Sequence, residues 1–276
     1  MMTTAKQENK TAKRKRGGKL TFVLIFLCAA VAAVSAYQLI SYYWANHEAE
    51  SDFNSLRPPV AAQTNTKDPT DPSSFKARLP YYEKLKSENP DFAAWLTVPG
   101  TNIDYPVMQT LKNQNYYIDK DFQKKYSMNG SIFLSELSDV AATPPSDVVT
   151  VYGHHMKTGA MFGHLEDLTK PENFMKATTV ILDTLQGRYV YRIYGLYRTP
   201  VDTGLPTEFK YWNVSNFPDE QTFDTYMAQT KAKLEIKNDA AAPVFGDKLI
   251  LLSTCEYTQK NGRLVLVGVL ENQPSA

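Results

Sequence analysis

Leu20 to Ile40 is a run of 21 residues without one charged side chain, and it divides the chain in two. As a helix it would be about 31 Å long, at roughly 1.5 Å per residue, which matches the hydrocarbon core of a bilayer. Seven basic residues precede it (Lys6, Lys10, Lys13, Arg14, Lys15, Arg16 and Lys19), against one acid, Glu8. Tyr37, Tyr42, Tyr43 and Trp44 gather at the far end, as an interfacial aromatic belt would. Basic residues on one side only keep that side cytoplasmic. The expected organisation is a cytoplasmic tail over 1–19, a single-pass anchor over 20–43, and an exported remainder. Val34-Ser-Ala36 resembles a processing site and offers a cleaved signal peptide as the rival, but the apolar run continues past it.

The same division accounts for the charge. The chain carries +1 overall and its first 19 residues +6, which leaves −5 for the rest. An acidic body argues against nucleic acid as the partner. Lys13-Arg-Lys-Arg16 taken alone suggests a nucleic-acid patch, yet beside an apolar span it reads as the anchor's flank. Residues 44–75, rich in polar groups and carrying Pro58, Pro59, Pro69 and Pro72, read as a flexible spacer. No internal repeat is visible, and 76–273 is left as one globular domain.

Within that domain a short helix is expected over Tyr81–Ser87, ending before Pro90. Val148–Tyr152, Arg188–Tyr194, Lys248–Thr254 and Arg263–Leu270 alternate as half-buried strands do. After Pro218 the residues Phe223, Tyr226, Met227 and Leu234 fall on one helical stripe. Short strands with few helices predict a mainly β fold, a closed barrel or a sandwich with helical decoration.

Cys255 ends one of these strands. The only other cysteine is Cys28, inside the apolar run. An unpaired thiol outside the cytoplasm needs a reason, and Cys255 is either a small buried hydrophobe or a nucleophile. Arg263 follows after the turn-like Gln259-Lys-Asn-Gly262, so a hairpin would bring Cys255 and Arg263 together. His154 follows a strand in Tyr152-Gly-His-His-Met156. A cation beside a thiol favours the thiolate, and acyl transfer needs a general acid and donors for an oxyanion. A zinc site using His164 with His154 and His155 lacks a carboxylate pattern. There is no C-x-x-C and no papain signature.

Leu252-Ser-Thr-Cys255 with Arg263, preceded by Tyr152-Gly-His-His-Met156, resembles the class B sortases, membrane-anchored transpeptidases of Gram-positive bacteria. The resemblance extends over Asn89–Gln109, Gly130-Ser-Ile-Phe-Leu134 and Met161-Phe-Gly163, about residues 76–272. It implies a closed eight-stranded barrel with N-terminal helices and a helix inserted between the sixth and seventh strands. It implies Cys255 as nucleophile, His154 as general acid/base and Arg263 as the oxyanion and substrate-orienting group, with His155 not catalytic. Thr207, Tyr211, Trp212, Ser253 and Glu256 become candidate peptide contacts; Trp212 stands where an aliphatic residue is expected. The implied reaction cleaves a C-terminal sorting signal after threonine and joins the acyl group to a peptidoglycan or lipid-linked precursor amine. No cofactor or metal is implied. A cysteine endopeptidase, or an idle wall- or haem-binding module, are the alternatives.

Overall fold

The computed structural model describes residues 18–59 and 70–272, with only the backbone of 18–20 and 272. Residues 1–17 of the expected 1–19 tail and the spacer's middle, 60–69, lie outside the described residues. The described chain falls into two units, one ending at Ala45 and one beginning at Asn46. The first is helical, the start of α1 (Gly18–Ser55). This helix is long and apolar enough to cross a membrane by length and composition.

The beginning of the expected spacer is ordered. α1 continues through Ser55, and Phe53 and Leu56 are buried in the second unit. Phe53 meets the Tyr105 ring edge-on at 5.7 Å, and the Tyr105 hydroxyl donates to Glu50. Phe53 at the polar end of α1 and Leu56 just after it are apolar positions in a polar stretch, a signal too sparse to read beforehand. The next helix, α2 (Pro72–Glu88), also starts earlier than the expected Tyr81. Pro72 occupies its first turn and the Asp71 carboxylate accepts from the Ser73 N–H at 2.8 Å, a cap inside the stretch read as spacer. Tyr82 anchors α2, stacking near Trp95 and donating to Asp183 at 2.9 Å. Asp183 in turn is ion-paired with buried Arg188 at 2.7 Å.

The strands are β1 (Phe92–Thr97), β2 (Asp104–Met108), β3 (Ile132–Leu134), β4 (Val148–Tyr152), β5 (Thr179–Thr184), β6 (Arg188–Pro200), β7 (Leu234–Lys237), β8 (Leu249–Glu256) and β9 (Gly262–Asn272). They run in the order β5-β1-β2-β3-β4-β8-β9-β6, and β5 pairs back onto β6, closing an eight-stranded barrel. β7 adds a short ninth strand on β6, beyond the reach of β5. Two pairings are parallel, β2 with β3 and β4 with β8. A one-turn helix, α3 (Pro171–Phe174), precedes β5, and α4 (Glu220–Lys231) lies between β6 and β7.

Period-two alternation decides what each face of β8 and β9 meets. Ile250, Leu252, Leu264 and Leu266 fill the barrel. Leu249, Leu251, Val265 and Val267 face outward and join Phe223, Tyr226 and Met227 of α4 in a second core. The inserted helix therefore covers the outer wall of these two strands. α4 starts at an Asp219 cap, whose carboxylate accepts from the Thr222 N–H at 2.8 Å. It ends at Lys231, so Leu234 falls in β7 and not on the expected helical stripe.

Candidate active site

Cys255 and Ser253 share the outward face of β8 with Leu249 and Leu251, while Glu256, one residue on, points the other way. Across the antiparallel ladder Cys255 stands directly opposite Arg263, as the hairpin reading expected. Asn261 takes a left-handed φ of 53°, tolerated by asparagine, to return the chain into β9. At Gly262 a Cβ would collide with the Glu256 carboxylate, so a larger residue there would displace that side chain.

β4 brings the histidine. Its parallel register pairs Tyr152 with Ser253, and the Gly153 N–H donates to the Ser253 carbonyl at 3.2 Å. The Thr254 hydroxyl donates to the Gly153 carbonyl at 2.8 Å. Continued past the end of β4, this register delivers His154 alongside Cys255. Gly153 leaves room here, because a Cβ would approach the Ile132 side chain to 2.5 Å and the Phe162 ring to 2.8 Å and force them to shift. His154 Nε2 lies 2.6 Å from the Ile118 carbonyl. A carbonyl only accepts, so Nε2 carries the proton of this bond. His155 Nδ1 donates in the same way to the Cys255 carbonyl at 2.8 Å, and its ring lies 5.4 Å from that of Tyr257. His164 is engaged elsewhere, with Asn102 and Asp167.

Cys255, His154 and Arg263 line one open cavity of about 370 Å³. Cys255 is half-buried and forms no disulfide. The Arg263 guanidinium donates to the Gly262 carbonyl at 2.9 Å. Ser253, Tyr211 and Trp212 form the wall nearest the insertion. The Tyr211 hydroxyl and Ser253 Oγ share a 2.7 Å hydrogen bond, and Trp212 meets the Tyr211 ring edge-on at 5.0 Å. Burial pushes the Tyr211 phenol well above its ordinary pKa, so it stays neutral. Burial also pushes Tyr152 up to about 12, against hydrogen bonds from Ser135 and Gln114 and the nearby Arg263 charge, which pull it down.

Two expected peptide contacts are not part of this cavity. Thr207 is exposed on the loop beyond it. Glu256 is buried and turned to the other face by the pleat, where it accepts from the Thr258 N–H at 2.8 Å. Arg198 lies 3.8 Å from its carboxylate. Burial pushes the Glu256 carboxyl up, but the hydrogen bonds from Thr258 and Gln259 and the Arg198 charge outweigh it, so the group sits below its ordinary value. Glu256 thus braces the turn between Cys255 and Arg263. Sequence reasoning missed the opposite wall, formed by Gln114, Asn115 and Ile118. That stretch has no periodicity to mark it. Val201 and Asp202, just past β6, were missed for the same reason.

A family model described as a sortase domain matches residues 96–271. The chain is 29% identical over 191 residues to sortase B of Staphylococcus aureus, covering 68% of this chain and 73% of that protein. Among solved structures, a mutant form of Clostridium perfringens sortase B superposes with a TM-score of 0.68 at 24% identity, covering 80% of this chain and 97% of the other. A Staphylococcus aureus sortase B–substrate complex superposes with a TM-score of 0.62 at 28% identity, over 70% of this chain and 85% of the other.

Proposed function

The chain belongs to the sortase family and to its class B, and on that footing we propose that it is a membrane-anchored cysteine transpeptidase whose nucleophile is Cys255. The observation that carries the reading is one of register. Antiparallel β8–β9 and parallel β4–β8 pairing bring Cys255, Arg263 and His154 to one cavity beside the inserted segment.

In this reading the Cys255 thiolate attacks the carbonyl carbon of the threonine in a sorting signal. Negative charge develops on the carbonyl oxygen, and the Arg263 guanidinium stabilises it. The C–N bond breaks, the leaving amine takes a proton from His154, and a thioester remains on Cys255. A peptidoglycan or lipid-linked amine then attacks the thioester, gives its proton to His154, and expels the thiolate as the new amide forms. With Nε2 holding the Ile118 carbonyl, Nδ1 is the ring nitrogen available for these transfers. Tyr211, Trp212 and Ser253 bind the peptide. The apolar stretch of α1 anchors the protein with its N-terminus in the cytoplasm.

Incubating a sorting-signal peptide with the enzyme, with and without an added oligoglycine amine, tests the reading. Transpeptidation yields an amine adduct joined after the threonine. Hydrolysis alone, whatever the amine concentration, would make the protein a cysteine endopeptidase. No product of either kind would leave a binding module with an idle thiol.

A further inference from the structure

The loop that follows β6 places a carboxylate in the cavity wall. Asp202 lines the same cavity as Cys255 and Arg263, yet its side chain is exposed. Its backbone is held on both sides. The Val201 N–H donates to the Asn261 carbonyl at 3.0 Å. The Asp202 N–H donates to Glu208 Oε1 at 2.7 Å, while Glu208 Oε2 accepts from the Thr203 hydroxyl at 3.2 Å. Asp202 itself adopts a left-handed φ of 53°. The loop's internal bonds therefore use the carboxylate of Glu208 and leave that of Asp202 uncommitted. Among the described residues no lysine or arginine pairs with it.

The cavity wall is thus electrically uneven. Arg263 supplies positive charge at the end where it faces Cys255. Among the described residues that line the cavity, Asp202 supplies the only carboxylate, on the segment leading into Tyr211 and Trp212. Gln114 and Asn115 across from them are neutral. In the transpeptidase reading, a peptide with its scissile carbonyl at Cys255 and Arg263 would lay its preceding residues along the wall that carries Asp202, Tyr211 and Trp212. A basic side chain there meets an unpaired carboxylate, and an acidic one meets repulsion.

We infer that Asp202 is a specificity-determining residue that selects sorting signals carrying a lysine or arginine upstream of the scissile threonine. The inference rests on the transpeptidase reading. The pairing is solvent-accessible, so its effect is modest, roughly twofold to tenfold in kcat/KM between lysine and glutamate, and it weakens with salt.

The test is a peptide set with the proline and threonine kept and lysine, glutamine or glutamate placed at each remaining upstream position. It is assayed on the wild type, Asp202→Asn and Asp202→Lys. Asparagine tolerates the left-handed backbone, so Asp202→Asn removes the charge and keeps the loop. At one position the wild type should favour lysine over glutamate. That ratio should approach unity in Asp202→Asn, invert in Asp202→Lys, and shrink in high salt. Turnover without charge preference at any position, or a lysine preference that survives Asp202→Lys, would overturn the inference while leaving the transpeptidase reading standing. A wild type that turns over none of these peptides would overturn both.

Discussion

Tyr211 and Ser253 join the inserted segment to the strand that carries Cys255 through one buried hydrogen bond of 2.7 Å. Tyr211 comes from the connection before α4, and Ser253 lies two residues before Cys255 on the same face of β8. The bond ties the wall that is proposed to bind the peptide to the strand that bears the thiol. Tyr211→Phe leaves a buried serine hydroxyl without its partner and should cost about 1–3 kcal/mol of stability. Ser253→Ala should cost a similar amount. The double variant should lose less than the sum of the two, as measured by urea unfolding. Additive losses would mean that the two hydroxyls contribute independently.

Cys255→Ala should abolish both peptide cleavage and amine adduct formation while leaving the melting temperature nearly unchanged. The half-buried thiol sits at the end of a strand and anchors no core. In the wild type, mass spectrometry of a quenched reaction should find the acyl group on Cys255. Substantial turnover by the alanine variant would exclude Cys255 as nucleophile.

Arg263→Lys keeps the charge and loses the planar fork of donors. If Arg263 stabilises the oxyanion, kcat/KM should fall by roughly one to three powers of ten, with the fold intact. Near-wild-type kinetics would reduce Arg263 to a charged residue at the cavity rim.

Glu256 gives a signed pH dependence. Its carboxyl lies below the ordinary glutamate value in the folded protein. The unfolded chain therefore binds the proton more readily, and the stability Glu256 contributes is present above the ordinary glutamate pKa. It is lost as pH falls through the lower, folded value. Glu256→Gln should make unfolding free energy rise less steeply with pH in the acid range, between about pH 3 and 6. An unchanged slope would show that the turn does not depend on the ionised carboxylate.

The membrane assignment makes its own prediction. The protein should remain in the membrane fraction, with residues 45–276 open to protease added outside the cell. A soluble secreted form beginning near Tyr37 would show cleavage after Ala36 in place of an anchor.

Local pattern in the sequence determined what depends on neighbouring residues. A charge-free run of 21 residues marked α1, and alternation marked β8 and β9 as half-buried strands, although both faces of β8 turn out to be buried. A short turn then required Cys255 and Arg263 to meet, because an antiparallel hairpin aligns residues equidistant from its turn. Only the tertiary structure decided which strand lies on the other side of β8. Val148 and Leu249 lie far apart in the chain, and a parallel pairing is chosen by the burial of the whole barrel, which no local period records. The His154 position at Cys255 and the far wall of Gln114 and Ile118 follow from that closure. So does the docking of Phe53, since two apolar residues in a polar stretch become an anchor only once Tyr105 is there to receive them.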